Sequence, residues 1–163
     1  MANGGRFIIM AIILISVLTL LVLTILSINT SDYEGYIQLS VEGVEYADGS
    51  SLIHLGNGCS KFIFYTTKEQ GESIEIGMKG IKTARPMTHD ILIDILNNFD
   101  IKPVDVKINN LYNDTYFAEL TLGSYQKKKI NIRPSDGIAI AVRAKIPIYV
   151  NKSLIKDVCG GLF

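Results

Sequence analysis

From Phe7 to Ile28 the chain reads FIIMAIILISVLTLLVLTILSI, without a charged residue, glycine or proline. As a helix rising about 1.5 Å per residue, such a run is long enough for a hydrocarbon core about 30 Å thick. It divides the chain before any other feature is considered. Residues 1–6 become a short N-terminal segment, 7–28 a transmembrane helix, 29–35 a juxtamembrane linker, 36–155 a folded domain and 156–163 a tail. A secretory signal peptide has a shorter apolar region, about 7–15 residues, and a small-residue cleavage site after it. SINTSDYEG, which follows here, offers no A-x-A.

Lys and Arg near the ends of a span resist translocation and set its direction. Arg6 precedes the run, no Lys or Arg follows it before Lys61, and Asp32 and Glu34 lie just beyond. The expectation is a single-pass protein with a cytoplasmic N-terminus and an extracytoplasmic domain. The sequons at Asn29, Asn113 and Asn151 are compatible with that side and equally with chance. Cys59 and Cys159 either pair in an oxidising exterior or sit as two small buried thiols. With no CxxC and only His54 and His89, a structural zinc site is excluded. The 16 basic and 16 acidic residues balance to a formal net charge of zero. The long-range field of a strongly basic nucleic-acid binder is therefore absent.

Beyond the linker, brief apolar segments separated by Asp48-Gly49 and Gly56-Asn57-Gly58 predict strands joined by turns. In KFIFY, Phe62 and Phe64 fall on one face and Ile63 and Tyr65 on the other, which predicts a strand covered on both sides. Ile74, Met78 and Ile81 at i, i+4 and i+7 predict a helix despite Gly71, Gly77 and Gly80. A second helix opens at TARPMTHDILIDIL, residues 83–96. Thr88 suits its N-cap, Asp90 suits the positive end of its dipole, and Ile91, Leu92, Ile95, Leu96 and Phe99 form its apolar stripe. From Pro103 the period becomes two: Val104, Val106 and Ile108, then Tyr116, Ala118, Leu120 and Leu122, then Ile130 and Ile132. Lys127–Lys129 after the Gly123-Ser124 turn meet phosphates or blunt a strand edge. The Arg-Pro phrase then recurs in NIRPSDGIAIAVRA, with Ser135 as cap, Asp136 in the first turn and a short body apolar nearly all round. IPIYV, 146–150, is a last strand, with a short helix expected after Asn151.

ARPMTHDILIDIL, NNLYNDTYFAELTL and NIRPSDGIAIAVRAKIPIYV, in this order and spacing, resemble the bifunctional nuclease (BFN) domain over most of residues 36–153. The resemblance implies an α+β fold, a mixed β-sheet with a few packed helices, here preceded by one N-terminal transmembrane helix. It also implies a nuclease, a hydrolase of phosphodiester bonds in RNA, DNA or both. Its signature positions fall on Arg85, Pro86, Thr88, His89 and Asp90, and on Arg133, Pro134, Ser135 and Asp136. Two amides depart from the family pattern: Asn131 stands where an acid is common, and Asn113-Asp114-Thr115 stands for Asp-Gly-Thr. Hard cations prefer charged oxygen ligands, so these exchanges weaken divalent-metal binding.

Phosphodiester cleavage needs an activated nucleophile, stabilisation of charge on phosphorus oxygens and a proton for the leaving oxygen. Mg²⁺ or Mn²⁺ held by Asp90, Asp94 and Asp136 would supply the first two; no organic cofactor is implied. His89, Asp90 and Asp136 are the candidate catalytic residues, and Arg85 and Arg133 the candidate phosphate clamps. The competing account is architectural, with Arg85 on Asp136 or Arg133 on Asp90 clasping the two helix starts. The alternative function is a membrane-tethered binding or assembly module of the same fold without catalysis, a homo-oligomer in one version.

Overall fold

The structure, a computed structural model, describes residues 3–123 and 126–157, and within them the side chains other than those of residues 3, 4, 7, 25–31 and 157. The chain forms two units, Met1–Gly35 and Tyr36–Phe163. In the first, helix α1 spans Asn3–Ser31. Its described apolar side chains, from Ile8 to Leu23, are exposed. The described stretch 8–24 rises only about 25 Å at about 1.5 Å per residue. Among the described residues, no helix is long and apolar enough to cross a membrane. The expected span at 7–28 is thus helical but not shown as a transmembrane helix, and its ends, Phe7 and Ile25–Ile28, carry side chains outside the description.

The second unit is the expected α+β domain. Its strands are β1 (Tyr36–Ala47), β2 (Ser50–Gly56), β3 (Ser60–Thr67), β4 (Lys102–Tyr112), β5 (Thr115–Gly123), β6 (Lys128–Ile132), β7 (Ile148–Asn151) and β8 (Lys156–Asp157). They form one mixed sheet in the order β6-β5-β4-β7-β1-β2-β3-β8. All pairings are antiparallel except β4 with β7, where Val106 lies beside Ile148 and Ile108 beside Val150. Three helices complete the layer: α2 (Lys68–Met78), α3 (Thr88–Asn98) and α4 (Pro134–Ala144). α2 packs on β1 and β2, α4 on β4 and β5, and α3 on α4. A 3₁₀ turn at Lys152–Leu154 is the expected short helix after Asn151.

The turns follow their residues. Asn113 and Asp114 join β4 to β5 with φ of 47° and 57°, the left-handed pair that a two-residue hairpin requires and that Asn and Asp tolerate. Cys59, between β2 and β3, is disulfide-bonded; Cys159 lies outside the described residues, as does the Gly123-Ser124 turn beyond Gly123.

The core lies between helices and sheet. Ile138, Ala139, Ile140 and Ala141 of α4 are buried, as the all-round apolar body of that helix predicts, against Val106, Ile108, Ala118, Leu120 and Val150. Phe62 and Phe64 stack at 5.6 Å between ring centroids, and Tyr116 meets Phe62 edge-on at 5.2 Å. Here three expectations are corrected. Ile63 and Tyr65 are exposed, so β3 is covered on one face only. Leu92, Ile93 and Leu96 carry the packing of α3, whereas Ile91, Ile95 and Phe99 face solvent. Helix α2 stops at Met78, before Ile81.

The glycines of α2 and α4 are sites of close approach. A Cβ on Gly77 would lie 2.5 Å from Arg143 Nη1 and 2.7 Å from Val142 Cγ2, so α2 can meet α4 only without one. A Cβ on Gly137 would lie 2.8 Å from Val106 Cγ1. Gly137→Leu forces a larger side chain into that contact and is expected to lower unfolding free energy by at least about 1–3 kcal/mol, read by urea denaturation.

Candidate functional site

Each helix of the second unit begins with a carboxylate in its first turn: Glu69 in α2, Asp90 in α3 and Asp136 in α4. These three starts border one cleft of about 450 Å³, lined by Glu69 and Gln70, by Met87, Thr88 and His89, and by Arg133 and Asp136, with Ser73 and Ile140 among the other lining residues. The free N–H groups of a helix start carry a partial positive charge. Here the first-turn carboxylates meet that charge, and two of them, Glu69 and Asp136, border the cleft beside Arg133.

The local grammar differs from that expected. Met87 is the N-cap of α3, and Thr88 is already helical; Asp90, at the third position, accepts from the Met87 N–H at 2.8 Å. In α4 Arg133 is the N-cap, Pro134 the first residue, and Ser135 is buried inside the first turn. Neither Thr88 nor Ser135 caps. Thr67 does so for α2, accepting from the Gln70 N–H at 3.4 Å.

His89 is the centre of the cleft's chemistry. Its Nδ1 lies 3.0 Å from Ser73 Oγ and its Nε2 3.5 Å from Asp136 Oδ1. Asp136 is also gripped by Arg133, whose Nε donates to Oδ2 at 2.7 Å and Nη2 to Oδ1 at 3.1 Å. This is a two-pronged pair within one helix turn. Burial, helped by the charge of Arg143, pushes the His89 imidazole below its ordinary value, against Asp136 and Asp90, which pull it up. The direction of that shift favours the uncharged imidazole.

Asp90 serves a different purpose. Arg143, from the end of α4, donates from Nε to Asp90 Oδ1 at 2.5 Å and from Nη1 to the carbonyls of Ser73 and Ala139, each at 2.9 Å. Burial works to raise the Asp90 pKa, but the Arg143 and Met87 hydrogen bonds outweigh it and hold the carboxyl below the usual range. Sequence reasoning paired Arg85 with Asp136 or Arg133 with Asp90. The clasp exists, but Arg143 makes it, 53 residues from Asp90. Arg85 is exposed and outside the cleft lining, and Asp94 borders a separate cavity of about 270 Å³.

Sequence reasoning missed Ser73, Glu69 and Arg143. Only Arg143 left a trace: it closes the repeated phrase, and a basic residue in the last turn suits the helix dipole.

The proposed metal set of Asp90, Asp94 and Asp136 does not fit. Both oxygens of Asp90 are engaged by Arg143 and the Met87 amide, and Asp90 and Asp94 border the other cavity, not the cleft that holds Asp136. Among the described residues no three His, Cys, Asp or Glu side chains group to hold a metal ion. No step is assigned to a metal here.

Because the Arg143 side chain is only 7% exposed, removing it leaves several acceptors without their donors. Arg143→Met is expected to cost about 2–4 kcal/mol in thermal or urea unfolding. The loss should shrink toward acid pH. Asp90, with its lowered folded pKa, contributes stability above its unfolded pKa that is lost as pH falls and the carboxyl protonates.

Comparison with known proteins places the chain in a family. The bifunctional nuclease domain matches residues 62–159. An uncharacterized protein of Mycobacterium tuberculosis is 29% identical over 104 residues, covering 64% of this chain and 62% of its own. Bifunctional nuclease 2 of Arabidopsis thaliana is 36% identical over 81 residues, 47% of this chain and 25% of its own; bifunctional nuclease 2 of Oryza sativa subsp. japonica is 33% identical over the same length. The chain thus spans 62% of the mycobacterial relative and about a quarter of the plant ones. With its domain match centred on the elements that build the cleft, the chain belongs to the bifunctional nuclease domain family.

Proposed function

We propose that the cleft at the three helix starts cleaves phosphodiester bonds and that the chain acts on RNA, DNA or both. The observation that carries this reading is His89, held between Ser73 and Asp136 beside Arg133. A phosphodiester needs a place for its negative charge and a group that moves a proton. The Arg133 guanidinium, whose Nη1 is not engaged by Asp136, suits the charge. His89 suits the proton, and Asp136 stabilises the imidazolium that forms. The names of the plant relatives, bifunctional nucleases, support the same chemistry.

Purified full-length chain in detergent, given labelled single-stranded RNA and DNA with and without Mg²⁺, tests this. His89→Gln and Asp136→Asn should each reduce cleavage about 10²–10⁴-fold. Cleavage should rise with pH as His89 loses its proton, with a midpoint below the ordinary value of about 6.5, and then level off. Failure of the wild-type chain to cut either polymer refutes the reading.

We propose further that residues 7–28 hold the chain to a membrane, with the domain on the extracytoplasmic side. The run is uncharged. Ser16, Thr19 and Thr24 each donate to a carbonyl three residues back, at 2.7–2.9 Å, so these hydroxyls need no water. The disulfide at Cys59 suits an oxidising compartment. The chain should stay with membranes in alkaline carbonate and leave only with detergent, and removal of residues 1–31 should release it.

A further inference from the structure

The neighbours of His89 restrict which proton it can take. Asp136 Oδ1, 3.5 Å from Nε2, favours a proton on that nitrogen. Neutral His89 then has one lone pair, on Nδ1, and it faces Ser73 Oγ at 3.0 Å. Ser73 must donate, because two lone pairs would otherwise oppose each other. Its hydroxyl proton is therefore the one His89 can accept directly, and Ser73, only 4% exposed, borders the same cleft as Arg133. A serine on one imidazole nitrogen and a carboxylate on the other form a nucleophile, base and orienter in series.

We infer that Ser73 is the nucleophile of the cleft, attacking phosphorus to give a covalent seryl phosphodiester. This rests on the nuclease reading for its substrate. In the first step the Ser73 hydroxyl proton passes to His89 Nδ1 while Oγ bonds to phosphorus. The bond from phosphorus to the departing nucleoside oxygen breaks, and His89 gives that oxygen its proton. Water then attacks the same phosphorus, His89 takes its proton and returns it to Ser73 Oγ, and the serine ester breaks. One water is consumed. No 2′-hydroxyl takes part, so the route serves RNA and DNA alike, and the step assigns the nucleophile to the chain's own residue. The Ser73 backbone is held for this by Arg143, which donates to its carbonyl at 2.9 Å.

The full-length chain is incubated with a fluorophosphonate probe, and the adduct is located by peptide mass spectrometry. Modification of Ser73 is expected, absent in Ser73→Ala and slowed at least tenfold in His89→Gln. In parallel, labelled oligonucleotide should form a denaturant-stable adduct with wild type, and Ser73→Ala should cleave at least a hundredfold more slowly. Thermal unfolding of Ser73→Ala and of the near-isosteric Ser73→Cys shows whether each variant is folded. A folded Ser73→Ala that cleaves at the wild-type rate, or wild-type cleavage without labelling or adduct, overturns the inference and leaves the nuclease reading standing. Labelling of Ser73 in a chain that cuts neither polymer overturns the nuclease reading and supports the nucleophile.

Discussion

The helical layer depends on the guanidinium of Arg143. From the end of α4 it reaches Asp90 at the start of α3, the Ser73 carbonyl in the middle of α2, and the sulfur of Met87 at 3.9 Å. A charged group this buried is tolerated only when its donors find acceptors, and these come from two other helices, the first turn of α3 and the middle of α2. Gly77 is the opening that admits it, since a Cβ there would collide with Nη1. The pair also fixes the cleft indirectly. Holding Asp90 orients the first turn of α3, which carries His89; holding the Ser73 carbonyl orients the hydroxyl that His89 meets. The cleft's chemistry therefore rests on a residue that lies behind it.

The two Arg-Pro phrases were legible as helix openings because local rules govern them. Proline fits the first turn of α4, and an acid at the third position complements the dipole in both helices. The partners of those acids were not legible. Asp136 took the nearest arginine, three residues away, while Asp90 took one 53 residues distant. Spacing within a helix specifies the first kind of pair; only packing of α4 across α2 and α3 creates the second. Thr88 and Ser135 illustrate the same limit. Each can cap, yet the chain starts its helices one and two residues earlier, at Met87 and Arg133.

Alternation placed the strands well and their surroundings poorly. Val106 and Ile108 face the helices as their period requires. Asp105 and Lys107, on the opposite face of β4, are also buried, at 2% and 3% exposure. Asp105 accepts from Thr121 at 2.8 Å, and the Lys107 ammonium sits 5.4 Å from the centre of the Tyr36 ring. An alternating pattern reports which residues are apolar, not whether the polar row is covered. The converse happened in β3, where two apolar faces suggested two neighbours and Ile63 and Tyr65 met solvent. Period says which side chains share a face; layers are decided by elements far along the chain.

The single parallel pairing, β4 with β7, has a consequence for how the domain comes into being. Hairpins such as β4–β5 close over two residues, whereas β7 reaches β4 only after β5, β6 and α4 have been traversed. That closure carries the larger entropy cost and gives the topology much of its non-local character, the property that slows folding. It also joins the two halves of the sheet, because β7 is the strand between β4 and β1. α2 packs on the β1–β2 half and α4 on the β4–β5 half, and the two helices also meet directly where Gly77 faces Val142 and Arg143. The elements that build the cleft are thus carried by both halves of the sheet, and β7 is the strand that makes those halves one.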